Sequence, residues 1–334
     1  MYSSGKTAVA AASQRLNVIG QLLVSVLAML LTATGPAKAD SQSEADGSPR
    51  PYDKTVRFAA DGLTLVGTLA HPGAIKQPPV VIILHGMRGE RDGPKIAGSD
   101  QGLFERIAEQ WSHCGIASLR FSTRGKGGSD GNHQDMSLEG RIRETRSAIR
   151  WVSRQPDLDS SATVILGYSQ GAAIAATVAG RLAATNDIGA LLLWSPNLNP
   201  LARYEKTIGM EKLTTGLNAP EGKVVMIAPG LGFKQAFFRD VWSLNPAGEI
   251  SPFRGPIHLV YGVGDQRTGP DDAEPFLHFH DGLQDMTTID GNHHLTASAG
   301  IDATDELAWQ QADWLFNTLE IEGPDCPPAD AGDD

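Results

Sequence analysis

Cysteine is almost missing from this 334-residue chain; Cys114 and Cys326 are the only two. The clustered cysteine spacing of a metal site is therefore excluded. Cys114 closes a predicted core helix and Cys326 falls in a polar, Pro-containing tail, so they are expected to be unpaired. A disulfide is the alternative if the chain is exported. Basic residues are outnumbered, 28 Lys and Arg against 39 Asp and Glu, for a net charge of −11. That balance argues against nucleic acid or an anionic membrane surface as partner. Heptads, internal repeats and long low-complexity runs are lacking. No apolar run reaches the ~20 residues of a comfortable membrane span. The glycine-rich segment Ser122–Gly131 contains Lys126, but its Gly, Lys and Ser offsets fit neither the P-loop nor the dinucleotide fingerprint. His278 and His280 stand at strand spacing with no third ligand evident, which predicts surface residues rather than a metal site. No cofactor and no metal are expected.

The amino terminus carries Lys6 and Arg15, an apolar run from Val18 to Leu31, and Pro36-Ala37-Lys38-Ala39 as a small-x-small site. This pattern predicts a signal peptide over 1–39 and an exported protein, periplasmic or secreted. An uncleaved anchor is the alternative; with cleavage, no stable membrane association is expected. Cleavage would remove three basic and no acidic residues, leaving 25 − 39 = −14. Residues 40–54 read as a flexible linker and 321–334 as a disordered tail.

Between them, apolar runs alternate with segments of helical spacing. Thr55–Phe58 and Leu63–Leu69 flank Asp61-Gly62, a hairpin signal. Val80–Leu84 is too apolar for a half-exposed strand and fits the middle of a parallel sheet. Ser137–Arg154 predicts a helix with Leu138, Ile142, Ile149 and Val152 on one face. Arg141, Arg143, Arg146, Arg150 and Arg154 are read as its solvated remainder. Thr163–Leu166 is a further buried strand. It runs directly into Gly167-Tyr168-Ser169-Gln170-Gly171, and an alanine-rich helix follows. A turn that tight forces Ser169 into a strained conformation and demands glycine on both sides. Residues 200–255 break the alternation and predict an inserted cap. Phe233, Phe237, Phe238 and Trp242 in it either line an acyl pocket or bury the cap.

Ser169, Asp265 and the Gly291-Asn292-His293-His294 loop each follow a predicted strand, in the order serine, acid, histidine. The chain resembles the alpha/beta-hydrolase superfamily from about residue 55 to 320. The stretches that carry the resemblance are His85-Gly86, Arg120-Phe121 with Arg124–Ser129, Gly167–Gly171, Gly262–Asp265 and Gly291–His294. The insert is similar to that of cinnamoyl and feruloyl esterases, and the Arg-Phe…Arg-Gly loop to serine-aminopeptidase-like hydrolases. One departure is Ser122, where that family usually carries an acid. The resemblance implies an α/β fold: a mostly parallel central sheet, helices on both faces, and a small cap before the acid-bearing strand.

A serine hydroxyl needs a base to become a nucleophile, and a neutral imidazole serves near neutral pH. Ser169 is assigned as nucleophile and Asp265 as orienter. The family pattern Gly-x-x-His selects His294 over His293 as the base. The Met87 and Gln170 N–H groups are expected to form the oxyanion hole, with His85 propping its loop. The expected activity is hydrolysis of small or aromatic carboxylic esters. Amide or peptide cleavage from a free amino terminus is the alternative, with Glu205, Glu211 or Asp240 to hold the amine. A non-catalytic binding module is the third reading.

Overall fold

The computed structural model of the protein describes residues 50–326. The predicted signal segment 1–39 lies outside the described residues, as do 40–49 and 327–334.

The chain opens on a hairpin, β1 (Tyr52–Ala60) and β2 (Leu63–His71). Asp61 and Gly62 at its tip have φ of 53° and 77°, as a two-residue primed turn requires. The ladder continues to Tyr52↔His71. Residues 52–54 are thus strand rather than linker, because β2 offers partners that far. Strands and helices then alternate: β3 (Pro79–Leu84), α1 (Leu103–His113), β4 (Ala117–Phe121), α2 (Leu138–Val152), β5 (Asp159–Tyr168), α3 (Gln170–Leu182) and β6 (Ile188–Trp194). The last repeats are β9 (Ile257–Gly262), α8 (Glu274–Leu277), β10 (Gln284–Ile289) and α9 (Ile301–Leu319).

The eight strands order as β1-β2-β4-β3-β5-β6-β9-β10, antiparallel through β2–β4 and parallel beyond. The period of two in a strand sorts the core into two layers. Val80, Ile82 and Leu84 pack with α2, α3 and the insert. Val81 and Ile83 pack with α1 and α9. Both faces are covered, which is why β3 reads as unbroken apolar sequence. From β3 the chain leads to β4 on one side, while β5 lies on the other. Loops therefore diverge above β3 and β5, and such a crevice at the carboxyl ends of the strands is where ligands bind in open α/β sheets.

Between β6 and β9 lie α4 (Pro200–Ile208), α5 (Met210–Leu217), a two-stranded ribbon of β7 (Val225–Ala228) and β8 (Leu231–Phe233), α6 (Gln235–Ser243) and α7 (Pro246–Ile250). Asn199-Pro200 and Asn245-Pro246 start α4 and α7 as N-cap and first helical residue, each asparagine accepting a backbone N–H of the first turn. Phe233, Phe237 and Phe238 are fully buried beneath this insert. Asp240 of α6 accepts the Glu139 N–H at the start of α2, 2.9 Å away, tying the insert to the sheet layer.

Four expectations change here. Cys114 and Cys326 are paired, with Cα atoms 5.3 Å apart, inside the usual disulfide range. α9 crosses α1 through Trp111 Nε1 to the Ala308 carbonyl and Trp309 Nε1 to Gln110 Oε1. The chain then turns at Glu320 and lays Pro324 beside Gly115. Residues 321–326 are accordingly a fastened segment and not a disordered one. On α2, Arg143, Arg146, Arg150 and Arg154 are exposed as expected, but Arg141 is only 3% exposed. His280 is buried too, its Nε2 bonded to the Gly255 carbonyl at 3.0 Å.

Candidate active site

β5 runs into Ser169 without a spare residue, and α3 begins at Gln170. Ser169 is held at φ 55°, ψ −116°, a conformation that costs a non-glycine residue of order 1–3 kcal/mol. A Cβ on Gly167 would stand 2.6 Å from the Ala172 Cα, and one on Gly171 would run into the Leu84 carbonyl. The two glycines therefore let the turn close against β3. The Ser169 N–H bonds to the Trp194 carbonyl, and the Ser169 carbonyl accepts the Asn197 N–H at 3.1 Å. The strained residue is fastened from both sides by β6 and the loop after it.

Ser169 Oγ lies 3.0 Å from His293 Nε2, and His293 Nδ1 lies 2.8 Å from Asp265 Oδ2. An ionised carboxylate only accepts, so Nδ1 carries the proton and Nε2 presents a lone pair to the serine. Asp265 follows β9, and its side chain has no exposure. Burial pushes its carboxyl up. Bonds from His293, from the Thr268 hydroxyl at 2.7 Å and from the Arg267 N–H at 2.8 Å outweigh that and hold it well below the usual carboxylate range.

The sequence assigned this position to His294; the structure puts His293 there. The reason is a tight turn after β10. The Leu295 N–H bonds to the Asn292 carbonyl at 2.8 Å, and Asn292 Oδ1 accepts the His294 N–H at 2.8 Å. Within that turn His293 faces the serine and is buried, whereas His294 is exposed toward the cavity rim. The Tyr168 hydroxyl donates to the His293 carbonyl at 2.9 Å. With its one proton so used, it accepts from His294 Nδ1 at 2.8 Å. His294 thus braces Tyr168, which in turn anchors the histidine loop. Partial burial and the neighbouring His293 and Arg267 lower the His294 pKa, keeping its ring neutral. Asp290, the residue after β10, is exposed and bonds to neither histidine. Tyr168 was not read from the sequence; its place beside Ser169 was the one available signal.

After β3 the chain turns from Gly86 to Gly89, with the Gly89 N–H on the Gly86 carbonyl. His85 props this turn as predicted. Its Nδ1–H donates to the Gly86 carbonyl at 2.6 Å, and Nε2 accepts the Thr123 N–H at 3.3 Å. Burial, with Arg141 close by, pushes the His85 pKa down to about 3, so the ring is a neutral brace. Met87 and Gln170 line one cavity with Ser169 and His293. Gln170 opens α3, where backbone N–H groups have no intrahelical acceptor.

Arg141 joins the loop after β3 to the start of α3. Its guanidinium donates to the His85 carbonyl at 2.6 Å and to Gln170 Oε1 at 2.7 Å. The Gln170 amide reaches the Tyr204 hydroxyl at 2.6 Å, which donates to Met87 Sδ at 3.2 Å. No carboxylate among the described residues lies within ion-pair distance of Arg141. Desolvation pushes its pKa down to about 10, which still leaves it charged near neutrality. A buried cation is thus bonded to the side chain of Gln170, the residue after Ser169.

The cavity measures about 870 Å³ and is walled by the histidine loop, the Gly86–Pro94 loop and α4. The buried phenylalanines of the insert do not reach it. Trp242 lines a second cavity of about 440 Å³ beside it. Glu205, Glu211 and Asp240 line neither. Ser122, the departure noted above, accepts the Arg91 N–H on its hydroxyl and the Ser129 hydroxyl on its carbonyl, pinning the glycine-rich loop. Among the described residues no cluster of three His, Cys, Asp or Glu is placed to hold a metal, and no helix is long and apolar enough to cross a membrane.

Residues 77–234 match the model of a family described as serine aminopeptidase, S33. A polyketide transferase of Stachybotrys chlorohalonatus is 30% identical over 115 residues, 34% of this chain and 35% of that one. The chain therefore aligns with about a third of that relative's length. Among solved structures, Est1E of Butyrivibrio proteoclasticus with ferulic acid bound superposes with a TM-score of 0.63. The identity is 18%, and the match covers 79% of this chain and 99% of that one. The alpha/beta hydrolase GrgF of a Penicillium species gives 0.62 at 18% identity, over 80% and 99% of the two chains.

Proposed function

From the alpha/beta-hydrolase fold and the match of residues 77–234 to the serine aminopeptidase, S33, family model, we propose that this chain is an exported serine hydrolase. In this reading it cleaves carboxylic esters through an acyl-enzyme on Ser169. The observation that carries the proposal is the continuous line Ser169 Oγ, His293 Nε2, His293 Nδ1, Asp265 Oδ2 at the wall of a cavity. His293 Nε2 takes the hydroxyl proton as Oγ attacks the ester carbonyl. Asp265 holds the ring in the required tautomer and stabilises the imidazolium. The N–H groups of Met87 and Gln170 receive the oxyanion; one such donor is worth ~3–4 kcal/mol in rate. Collapse expels the alcohol, to which His293 returns the proton, and water then releases the acid by the same route.

Export is supported by the amino-terminal pattern and by the Cys114–Cys326 pair, since such bonds persist in oxidising compartments. The Est1E likeness supports an aromatic acyl group among the small esters accepted. The amide reading rests on the family match. Of the carboxylates named for it, Asp240 is engaged by the α2 backbone and the other two lie outside the cavity. Glu90, Asp92 and Glu105 line the cavity; Asp92 pairs with Arg120 and Glu105 accepts the Gly102 N–H, which leaves Glu90 for a substrate amine.

The test is hydrolysis of 4-nitrophenyl and feruloyl esters by the wild type and by Ser169→Ala, alongside aminoacyl amides. Ester turnover that vanishes in the variant supports the reading. Intact turnover in Ser169→Ala, or absence of both turnover and labelling by a serine-directed phosphonate, refutes it. Faster cleavage of the amides would transfer the assignment to the peptidase reading.

A further inference from the structure

The cavity that holds Ser169 and the smaller one beside it share three polar side chains: Asn197, Arg203 and Arg267. Asn197 is 5% exposed, and its backbone N–H is fixed on the Ser169 carbonyl at 3.1 Å. Its side-chain amide makes no hydrogen bond to any described residue. The amide is open to the two cavities that Asn197 lines, so it is free to bond a molecule there. Arg203, on α4, is half-buried, and Arg267 follows Asp265 on the loop after β9. Neither guanidinium has an ion pair or a side-chain hydrogen bond among the described residues. The two charges are close enough that burial and Arg267 together lower the Arg203 pKa. Asp271 and Asp272 also line the second cavity, yet neither lies within ion-pair distance of the arginines, and Asp272 accepts the Gly269 N–H at 3.0 Å.

Three donor-bearing side chains therefore face one neck, next to the nucleophile, with no hydrogen bond or ion pair made to them by another side chain among the described residues. We propose that Asn197, Arg203 and Arg267 form a carboxylate-binding subsite, and that the substrate is an ester carrying a free carboxylate on a short spacer from the scissile bond. A planar carboxylate matches the fork of a guanidinium and accepts the amide N–H as well. Beyond the neck, Leu198, Leu201 and Phe276 offer the second cavity an apolar floor for the rest of such a molecule. This substrate class rests on the reading of Ser169 as the nucleophile; the subsite itself does not.

The experiment compares kcat/KM for matched carboxylate and carboxamide esters. One pair carries the group in the acyl part, as 4-nitrophenyl esters of glutaric and glutaramic acid. The other carries it in the alcohol part, as acetyl esters of 4-hydroxybutyrate and 4-hydroxybutyramide. In at least one pair the wild type is expected to favour the carboxylate by about tenfold or more. That ratio should collapse toward one in Arg203→Gln and in Arg267→Gln. Ratios near one in the wild type, or ratios that neither substitution moves, overturn the subsite. Equal slowing of both members of a pair also counts against it, as the mark of a general structural role. If no ester is turned over, the hydrolase reading fails separately. Glutarate binding by calorimetry then judges the subsite: binding to wild type that is lost in Arg203→Gln sustains it, and no binding to wild type removes it.

Discussion

At the scale of single residues, the histidine loop shows how little separates two different active sites. His293 and His294 are neighbours in sequence, and the tight turn at Asn292 sends one inward to Ser169 and the other to Tyr168. His293→Gln is expected to lower ester kcat/KM at least ~10³-fold. His294→Gln should keep most of the activity and lose only the brace on Tyr168; steady-state kinetics of the two variants, side by side, check the assignment. Arg141 gives a second residue-scale expectation. Because it holds Gln170 and the His85 carbonyl from behind, its loss should disturb the oxyanion donors more than substrate docking. Arg141→Met is expected to lower kcat ~10-fold or more while KM stays within about twofold, with Arg141→Lys recovering part of the rate. A change confined to KM would show that the guanidinium serves binding instead.

At the scale of elements, most of the layout was legible, because the signals are local. The Asp61-Gly62 hairpin, the unbroken apolar β3, the strand–Ser169–helix junction and the amphipathic α9 each follow from period, turn chemistry and propensity. Bounds were less legible. β1 begins three residues earlier than expected because β2 supplies partners, and a ladder's length is a property of both strands. α9 starts as early as Ile301, where Thr304 of its first turn bonds Thr296 of the loop before it. Packing between elements was invisible. Gly180 on α3 lies so close to α7 that a Cβ would collide with the Glu249 carbonyl. Gly180→Ala should therefore destabilise by roughly 1–3 kcal/mol or more, despite alanine's better helix propensity. Urea unfolding measures it; a neutral or stabilising result would mean that α7 simply moves aside.

At the scale of the whole molecule, the segment that follows α9 is tied back to the first crossover helix. The Cys114–Cys326 bond closes a sequence separation of 212 residues, so it restricts the unfolded chain strongly. Reduction, or Cys326→Ser, is expected to cost about 2–5 kcal/mol, read as a lower thermal midpoint in dithiothreitol. An unchanged midpoint on reduction would count against the bond. This pairing could not be read from the chain, where one cysteine looks like a core residue and the other like part of a polar tail. It depends on α9 crossing α1, a contact between segments that sequence spacing does not reveal.

Sequence alone determined the α/β alternation, the elbow at Ser169 and the order serine, acid, histidine. Those rest on short-range physics: hydrophobic period, glycine where a Cβ would clash, and polar residues just past strand ends. Tertiary structure decided which histidine meets the serine, that Arg141 is buried against Gln170 and the His85 carbonyl, and that Asn197, Arg203 and Arg267 share one neck. These are matters of side-chain direction and of loops converging from distant strands, and a one-residue change in a turn is enough to reverse them.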